Sequence, residues 1–406
     1  MNLVKGVLRW RLRLDWIIRQ HVRFSFKNID FTVLNILRLA LYQIFFFDRV
    51  PQSAAVDEAV KQAKTTSAKH VVAFVNGILR HICREKDRIS FPDRGNDLVG
   101  YLSTFYSYPA WLVEKWLSEL GADSTERLLL AGNRIPGLVV RTNNLEIDRP
   151  GLIRCLGQEG VETSPTFYSP EGLRINTITG PINRLDSFKE GLFQVQDEPA
   201  QIVSHLLSPA PGDTVLDLCS GLGGKSTHLA ELVGRNGAVF SVDIDHPRLL
   251  GLVENMNRLG ITNIRPVRAD AAKDVASLLR RSFDKILLDV PCSALGTISR
   301  HPDGKWARDE TDIKRISLLQ RKILDNAVPL LAEGGRMLYV TCTISREENE
   351  YVVRDFLAEN REMTLENLRV HVPEWGHKLV GEGGFFRSLP HIHHMDGFFG
   401  ALFIKR

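Results

Sequence analysis

The spacing of apolar residues changes character twice along the chain. From Leu3 to about residue 130, apolar side chains recur at helical intervals, as in VVAFVNGILRHI and YPAWLVEKWLSEL, and β-branched runs are few. This pattern predicts an all-helical bundle over residues 1–130. Between residues 131 and 192, short apolar pieces such as GLVVRTNN and INTITGPINRL are broken by Gly, Pro and Asn, which predicts a small α+β connector domain.

From residue 193 to residue 406, strand patterns alternate with helix patterns. The strand-like segments are TVLDL, AVFSVDID, IRPVRAD, KILLDV and RMLYVTCT, and helical segments such as HPRLLGLVENMNRLG, AAKDVASLLR and RISLLQRKILDNAVPLL lie between them. Strand, helix and strand at this spacing predict an α/β fold, a doubly wound, Rossmann-like sheet that binds ligands at the carboxyl ends of its strands.

The charge is unevenly distributed. Over 406 residues the net charge is +4, but residues 1–140 carry 20 Lys and Arg against 13 Asp and Glu, and the remainder carries 32 against 35. A basic helical front is typical of a protein that binds a polyanion such as RNA. On charge alone, a solvated helix surface that binds nothing explains the front equally well.

The cysteines and the most apolar segment indicate a reducing, aqueous compartment. No two cysteines form a CxxC pair, so neither a disulfide framework nor a zinc site is expected, and we predict a cytoplasmic protein. LNILRLALYQIFFF is shorter than a membrane span and contains Arg38. Its apolar residues Leu34, Leu37, Leu41 and Phe45 fall at helical spacing, which predicts a buried helix.

A glycine-rich turn is the first motif with chemical meaning. LDLCSGLGGKS, from Leu216 to Ser226, follows a strand and opens a helix, so its backbone could approach a ligand closely. It is neither a Walker loop nor a strict GxGxxG motif. Asp243 ends the second strand, where it could accept hydrogen bonds from ribose hydroxyls, and Asp270 ends the third, where an adenine edge would lie. Either acid alone could be a helix cap or a solvated strand end. Together the strand ends favour a nucleotide-type site.

Two cysteines occupy comparable places on the next strands. KILLDVPCSALG brings Asp289 and Cys292 to the same edge of the sheet, and Pro291 ends the pairing of that strand. The following strand, MLYVTCT, ends at Cys342. A single buried cysteine is usually a small apolar residue. Two at the ends of neighbouring strands favour chemistry.

These motifs carry a family resemblance. DVPCSALG and VTCT, behind DLCSGLGGK and before MDGFFGALFIKR, resemble the RsmB/Sun branch of the NOL1/NOP2/Sun RNA cytosine-5 methyltransferases. LRLALYQIFFFDRVPQSAAVDEAV and FVNGILRHI resemble a NusB-like RNA-binding domain, so the resemblance covers nearly the whole chain. It implies S-adenosyl-L-methionine as cofactor, small-subunit ribosomal RNA as partner and 5-methylcytosine as product. MDGFFGALFIKR resembles the closing strand of the family near the active site.

The resemblance also implies roles for individual residues. Cys342 is implied to be the nucleophile that adds to carbon 6 of cytosine, and Cys292 to help remove the proton at carbon 5 when the product is released. Asp289 is implied to hydrogen-bond the cytosine or the methionine end of the cofactor, Asp243 to hold its ribose and Asp270 its adenine. The loop positions implied to hold the methionine moiety are Cys219, Ser220, Gly221, Leu222, Gly223, Gly224 and Lys225.

Two departures from the family pattern carry expectations of their own. Ser220, Gly221 and Leu222 stand where the family has Ala-Ala-Pro, and losing the proline while gaining a glycine loosens the unbound loop. We therefore expect weakened, not abolished, cofactor binding. At the front, the chain begins inside the NusB-like pattern, so its first helix is expected to be absent, through a late start or an abbreviated domain.

Several alternatives stay open at this level. The histidines of HIHH, residues 391–394, suggest metal ligands by composition, but they lack an accompanying acid or cysteine at metal spacing, so an exposed loop and no metal are expected. A ribosome assembly factor with weak catalysis, or an enzyme acting on tRNA or DNA, would share much of the pattern. Asp289, Cys292 and Cys342 argue against the assembly factor. We expect a monomer without a membrane partner.

Overall fold

Residues 2–381 and 383–406 are described by the computed structural model of this chain, which falls into two units. The first unit contains the residues up to 134 together with the returning segment 298–309, and the second contains residues 135–297 and 310–406. The predicted domain boundaries at residues 130 and 192 stay predictions.

The first unit is helical, as its apolar spacing predicts. α2 begins after Asp30, whose Oδ1 accepts hydrogen bonds from the backbone N–H groups of Thr32 and Val33. Its helices are α1 (Asn2–His21), α2 (Phe31–Phe46), α3 (Gln52–Thr66), α4 (Lys69–Arg84), α5 (Leu98–Tyr106), α6 (Ala110–Leu120) and α7 (Ala122–Gly132).

The apolar helix α2 is buried despite its charge. Leu37 and Leu41 are fully buried. Arg38 enters the same core because Asp15 of α1 meets it with two bonds, Nε to Oδ1 at 2.7 Å and Nη2 to Oδ2 at 2.8 Å. A paired guanidinium and carboxylate can be buried where a lone charge could not. None of the helices in the described part of the chain is both long and apolar enough to cross a membrane.

The returning segment 298–309 is held by the first helix. Lys305 Nζ donates to the Arg9 carbonyl at 2.7 Å, and Trp306 Nε1 donates to the Leu8 carbonyl at 2.7 Å. Twelve residues that leave the second unit in sequence therefore pack as part of the first.

The second unit contains two sheets. The smaller is antiparallel with strand order β2-β3-β1-β4 and accompanies helices α8 (Arg149–Gln158) and α9 (Asp186–Lys189). Its mixed α and β composition agrees with the predicted connector. Its strands are β1 (Leu138–Thr142), β2 (Glu162–Pro165), β3 (Gly172–Thr177) and β4 (Phe193–Val195).

The larger sheet has the predicted doubly wound core. Its strands are β5 (Thr214–Asp217), β6 (Ala238–Asp243), β7 (Ile264–Arg268), β8 (Phe283–Asp289), β9 (Leu331–Thr341), β10 (Met363–Glu366), β11 (Phe386–Ser388) and β12 (Phe398–Lys405). Its order is β10-β12-β9-β8-β5-β6-β7, with β11 paired to β12. β5 to β9 are parallel, and β12 is antiparallel to β9. The chain proceeds from β5 to one side and later returns to the other, which opens a crevice at the carboxyl end of β5.

Helices cover both faces of this sheet because its strands are apolar on both faces. Ile286 and Leu288 of β8 enter one hydrophobic cluster and Leu287 enters the other, and all three are fully buried. The helices are α10 (Glu198–Leu206), α11 (Gly224–Val233), α12 (His246–Leu259), α13 (Ala276–Leu279), α14 (Glu310–Ala327), α15 (Glu350–Glu359) and α16 (Pro390–His393).

The helix predicted over AAKDVASLLR is shorter than its pattern. Only Ala276–Leu279 is helical. The Asp270 side chain accepts from the Ala272 N–H at 3.0 Å, and Asp274 accepts from the Ser277 N–H at 3.1 Å. Asp270 caps the start of the segment, whereas Asp274 takes the Ser277 N–H that a continuous helix would pair with the Lys273 carbonyl, so the helix starts again after Asp274.

Candidate active site

The predicted site residues line one cavity of about 840 Å³ at the carboxyl ends of the parallel strands. Gly223 is the single predicted residue that is not among its lining. The predicted residues that do line it are Cys219, Ser220, Gly221, Leu222, Gly224, Lys225, Asp243, Asp270, Asp289, Cys292 and Cys342.

Gly223 shapes the loop instead. It precedes α11 with φ +81°, and a Cβ there would lie 2.0 Å from Leu252 Cδ1. Gly221 also has positive φ, +55°. Only glycine adopts these angles at little cost, and the packing of Leu252 excludes a side chain at Gly223 as well. The glycine at 221 thus suits the conformation that the loop takes here.

The loop is held against the end of β6. Ser220 N–H donates to the Val242 carbonyl at 2.9 Å, and Gly221 N–H donates to Asp243 Oδ2 at 2.8 Å. The Asp245 N–H donates to the other Asp243 oxygen, also at 2.8 Å. These bonds orient a largely buried carboxylate at the cavity wall.

The donor and acceptor set fits a nucleoside cofactor. Each oxygen of Asp243 accepts one bond and has capacity for another, and Asp270 at the end of the adjoining strand has spare acceptor capacity too. Ser220 Oγ is buried and has no hydrogen-bond partner within residues 2–381 and 383–406. A ligand rich in hydroxyl and amino groups would satisfy these atoms.

Lys225 and Asp289 form an ion pair in the lining of the cavity. Lys225 Nζ lies 2.5 Å from Asp289 Oδ2 and 5.5 Å from the centroid of the Phe398 ring. Burial alone would lower the pKa of Lys225, but the charge and hydrogen bond of Asp289 raise it above its ordinary value. The lysine therefore stays positively charged within the cavity.

The two motif cysteines meet. Their sulfur atoms are 3.2 Å apart, and both side chains are half-buried. β8 and β9 stay paired up to the cysteines, because Val290 N–H donates to the Val340 carbonyl at 3.1 Å. The pKa of Cys292 is raised well above its ordinary value, first by its hydrogen bond to Cys342 and then by burial. The Cys292 thiol is thus held protonated beside the Cys342 sulfur.

The closing strand lies where the resemblance places it. Phe399 of β12 pairs with Thr341, the residue before Cys342. Gly296, four residues after Cys292, donates its N–H to the Cys342 carbonyl at 3.0 Å and accepts from the Gly397 N–H at 2.8 Å. A Cβ at Gly296 would lie 2.0 Å from the Gly397 oxygen, so only glycine permits this approach.

Glu348 joins the two cysteine loops, and sequence reasoning missed it. The carboxylate is fully buried. Its Oε1 accepts from the Ser293 N–H at 2.7 Å and from Gln320 Nε2 at 3.1 Å, while Oε2 accepts from Ser293 Oγ at 2.5 Å. Burial raises its pKa, and these donors oppose the rise. In the sequence it resembles one more acid at the start of a helix, so nothing distinguished it.

Asp217 was also missed, although it ends β5 as Asp243 ends β6. It lines the cavity and accepts from Ser226 Oγ at 2.6 Å. Burial raises its pKa to about 7, while the Ser226 hydrogen bond opposes the rise. The rule that selected Asp243 and Asp270 would have found it.

Comparisons with known proteins agree with this geometry. The family model for 16S rRNA methyltransferase RsmB/F matches residues 204–404, that for the NusB family matches residues 1–84, and that for an RsmF/B-like ferredoxin-like domain matches residues 108–180. A probable ribosomal RNA small subunit methyltransferase B of Bacillus subtilis is 34% identical over 399 residues, which are 98% of this chain and 88% of that protein. The chain belongs to the RsmB/F family.

Other members of the RsmB/F family and solved structures extend the match. Ribosomal RNA small subunit methyltransferase B of Escherichia coli is 33% identical over 405 residues, covering 100% of this chain and 90% of that protein. The crystal structure of PH0851 is 31% identical with a TM-score of 0.84, covering 99% of this chain and 89% of that one. A methyltransferase homologue from Pyrococcus horikoshii is 26% identical, with a TM-score of 0.65 over 75% of this chain and 98% of that one.

Membership confirms the predicted family, the helical NusB front and the Rossmann-like methyltransferase fold. It also identifies S-adenosyl-L-methionine as the cofactor of this RsmB/F protein, which the lining of the cavity fits. The individual roles predicted for Asp243, Asp270, Asp289, Cys292 and Cys342 stay proposals.

Proposed function

We propose that this chain methylates carbon 5 of a cytosine in small-subunit ribosomal RNA through a covalent bond between Cys342 and the base. The observation that carries the proposal is the pair of sulfur atoms 3.2 Å apart, in the cavity that also holds the Lys225–Asp289 ion pair. The names of the relatives, the match to the NusB family and the basic front support ribosomal RNA as substrate.

The reaction begins with attack by the Cys342 sulfur. Carbon 5 of cytosine is a weak nucleophile, and addition of a sulfur at carbon 6 moves an electron pair of the ring toward carbon 5. The Cys292 thiol lies 3.2 Å from the Cys342 sulfur, and a hydrogen bond donated across this contact would stabilise negative charge on Cys342 before attack. Lys225, a fixed cation paired with Asp289, stabilises negative charge that develops on the ring.

The cofactor-binding residues hold the methyl donor against this base. The loop from Cys219 to Lys225 is assigned to the methionine moiety, Asp243 to the ribose and Asp270 to the adenine. When bound, S-adenosyl-L-methionine supplies an electrophilic methyl group, and the electron pair of the broken bond stays with its sulfur. Burial and the surrounding acids raise the pKa of Cys219 well above its ordinary value, so that this loop thiol stays neutral.

Cys292 acts in the release step. Two causes of its raised pKa are the hydrogen bond to Cys342 and the charge of Cys342, and both are lost once Cys342 is bonded to carbon. Its pKa then falls, and it can lose its proton to solvent and take the proton from carbon 5. The electron pair of that C–H bond restores the ring double bond and expels the Cys342 thiolate.

Label transfer tests the overall reaction. The full chain is incubated with methyl-labelled cofactor and small-subunit ribosomal RNA that lacks the modification, with bulk tRNA as a parallel substrate. We expect label on carbon 5 of a cytosine in the ribosomal RNA. Label on an adenine, in tRNA alone or in no RNA would contradict the proposal, and the last result would favour an assembly factor.

Cysteine variants test the two roles. We expect Cys342→Ala to abolish transfer without trapping RNA, because no bond to carbon 6 forms. Cys292→Ala should accumulate a protein–RNA adduct that survives denaturation, because the carbon 5 proton is not removed. Cys155→Ala, on α8 away from the cavity lining, is the control and should turn over normally. The opposite adduct pattern would exchange the roles of Cys292 and Cys342.

A further inference from the structure

A second cluster of chemically capable side chains lies outside the active-site lining. Glu171, His205 and His228 each place one ligand atom so that all three lie within 4.8 Å of one another. Glu171 immediately precedes β3, His205 belongs to α10 and His228 to α11. His205 Nε2 is 3.0 Å from Glu171 Oε2, and the centroids of the two imidazole rings are 5.1 Å apart.

His228 is unsatisfied where it lies. It is 1% exposed, and neither ring nitrogen has a hydrogen-bond partner within residues 2–381 and 383–406. A neutral imidazole has one N–H and one lone pair, and leaving either unpaired in the interior is unfavourable. We therefore expect a water molecule or a ligand to bind at least one of these nitrogens.

The side-chain types suit a cation. Imidazole nitrogens and carboxylate oxygens are both metal ligands, and the cluster offers two of the first kind and one of the second.

We propose that Glu171, His205 and His228 form a binding site for a divalent cation of the Zn²⁺ type. Two imidazole nitrogens and one carboxylate oxygen suit Zn²⁺, with water in the fourth position. Tetrahedral Zn²⁺ with bonds of about 2.0–2.1 Å separates its ligand atoms by about 3.3 Å. The 3.0 Å contact and the 4.8 Å limit bracket that value, so small side-chain rotations suffice.

The nearby positive charge is already neutralised. Arg141 Nη2 donates to Oγ1 of Thr227, the residue before His228, at 3.2 Å, but the same nitrogen lies 2.6 Å from Glu231 Oε1, and the Arg141 and Glu231 side chains are buried. Its Nη1 donates to the Gly224 carbonyl at 2.8 Å. The negative charge of Glu171 thus remains for the cation.

The cation would link three elements of the second unit. His228 lies on the helix that begins at Gly224 and carries Lys225 near its start, while Glu171 belongs to the turn before β3 of the smaller sheet. A bound ion would stabilise the helix that follows the cofactor loop. This site differs from HIHH, the sequence feature considered for metal, and it would overturn the expectation of no metal.

Metal binding to the chelator-treated full chain tests the proposal. We expect about one equivalent of Zn²⁺ by calorimetry and a rise in the unfolding midpoint when Zn²⁺ is added. Co²⁺ in its place should give the absorption of a tetrahedral nitrogen and oxygen site. A sulfur-to-metal charge-transfer band would instead assign the ion to Cys292 and Cys342, and would overturn the proposal.

Two ligand variants and one control complete the test. Glu171→Gln and His205→Gln should each weaken Zn²⁺ binding by about 100-fold or more and remove the shift in unfolding midpoint. His394→Gln, an exposed histidine outside the cluster, should bind as the unsubstituted chain does. Circular dichroism checks that each variant is folded. Absence of stoichiometric Zn²⁺ binding, or equal binding by both ligand variants, would overturn the site and leave buried water as the partner of His228.

Discussion

Three cysteines in one cavity differ because of their neighbours. Burial and the surrounding acids raise the pKa of Cys219, and the hydrogen bond with Cys342 and burial raise that of Cys292. The Cys342 sulfur lies 3.2 Å from that of Cys292. A thiol becomes a nucleophile where its surroundings stabilise the thiolate. This contact therefore distinguishes the two proposed roles, attack on the base by Cys342 and removal of the carbon 5 proton by Cys292.

Asp217 should make stability depend on pH. Its pKa rises from 3.8 to about 7 on folding, so between these values the folded chain binds more protons than the unfolded chain. This contribution is fully present below about pH 4 and is lost as the pH rises to about 7.

In the Asp217→Asn variant the side chain cannot ionise, so this loss of stability with rising pH should disappear. We expect its free energy of unfolding, relative to the unsubstituted chain, to increase between pH 4 and pH 8 by at most about 4 kcal/mol. Urea unfolding across this range measures the difference, and exposed Asp186→Asn is the control. A difference that stays constant with pH would show that Asp217 is ionised throughout.

At the scale of elements, hydrogen bonds join the two cysteine loops that follow β8 and β9. Glu348 accepts from Ser293 in the first loop, and the Ser293 hydroxyl is 2.8 Å from Thr343 Oγ1 in the second. Parallel strand pairing brings the two loops to one edge, and this buried network sets their separation.

Glu348→Gln should disturb the loops without touching the cofactor. The amide presents a donor where the carboxylate accepts two bonds from Ser293, so one of these bonds is lost. We expect kcat to fall by about 100-fold, since a displacement of about 1 Å can have that effect. Cofactor affinity should change little. Exposed Glu362→Gln is the control, and equal losses in kcat and cofactor affinity would contradict a positioning role.

The cofactor loop supports a second prediction at this scale. Leu222 stands where the family has proline and is 58% exposed, so a ring has room there. Leu222→Pro restricts the unbound loop and should tighten cofactor binding by about 2–5-fold, the equivalent of about 0.4–1 kcal/mol. Calorimetry measures the affinity. The control is Leu318→Ala, at an exposed position outside the loop, which should bind the cofactor as the unsubstituted chain does. Unchanged or weaker binding by Leu222→Pro would refute the explanation based on loop entropy.

At the scale of the molecule, the chain does not divide at a single point. The segment 298–309 lies between two parts of the second unit in sequence, yet it belongs to the first. Lys305 is the fully buried residue of this segment. Its Nζ lies 3.8 Å from the centroid of the Tyr108 ring and donates hydrogen bonds to the Arg9 carbonyl and to Asn133 Oδ1. Burial and the nearby arginines lower the pKa of Lys305 well below its ordinary value.

Lys305→Ala should destabilise the first unit. It leaves a cavity and deprives the Arg9 carbonyl and the Asn133 side chain of their donor, so we expect a loss of about 3 kcal/mol in the free energy of unfolding. Limited proteolysis should then cut within 298–309. Exposed Lys314→Ala should change neither measurement. If Lys305→Ala were as stable and protease-resistant as Lys314→Ala, the segment would not be anchored by this side chain.

The sequence by itself determined the classes of element and the strand ends that meet. Apolar periods of about 3.6 and of 2 distinguish helix from strand, and the carboxyl ends of parallel strands share one edge. Asp243, Asp270, Asp289 and Cys342 could therefore be assigned to one crevice from their places after apolar runs. The same pattern pointed to Cys292 and the glycine-rich loop, and the family motifs added the role implied for each residue.

Only the tertiary structure decided which side chains touch. Glu348 meets Ser293 across 55 residues, and Glu171 meets His205 across 34, through packing that no local pattern encodes. The same holds for the protonation of Cys292 and Asp217, because burial and neighbouring charges set a pKa and both depend on the folded surroundings. Periodicity is a local property of the chain, whereas distance and desolvation arise only when its segments pack.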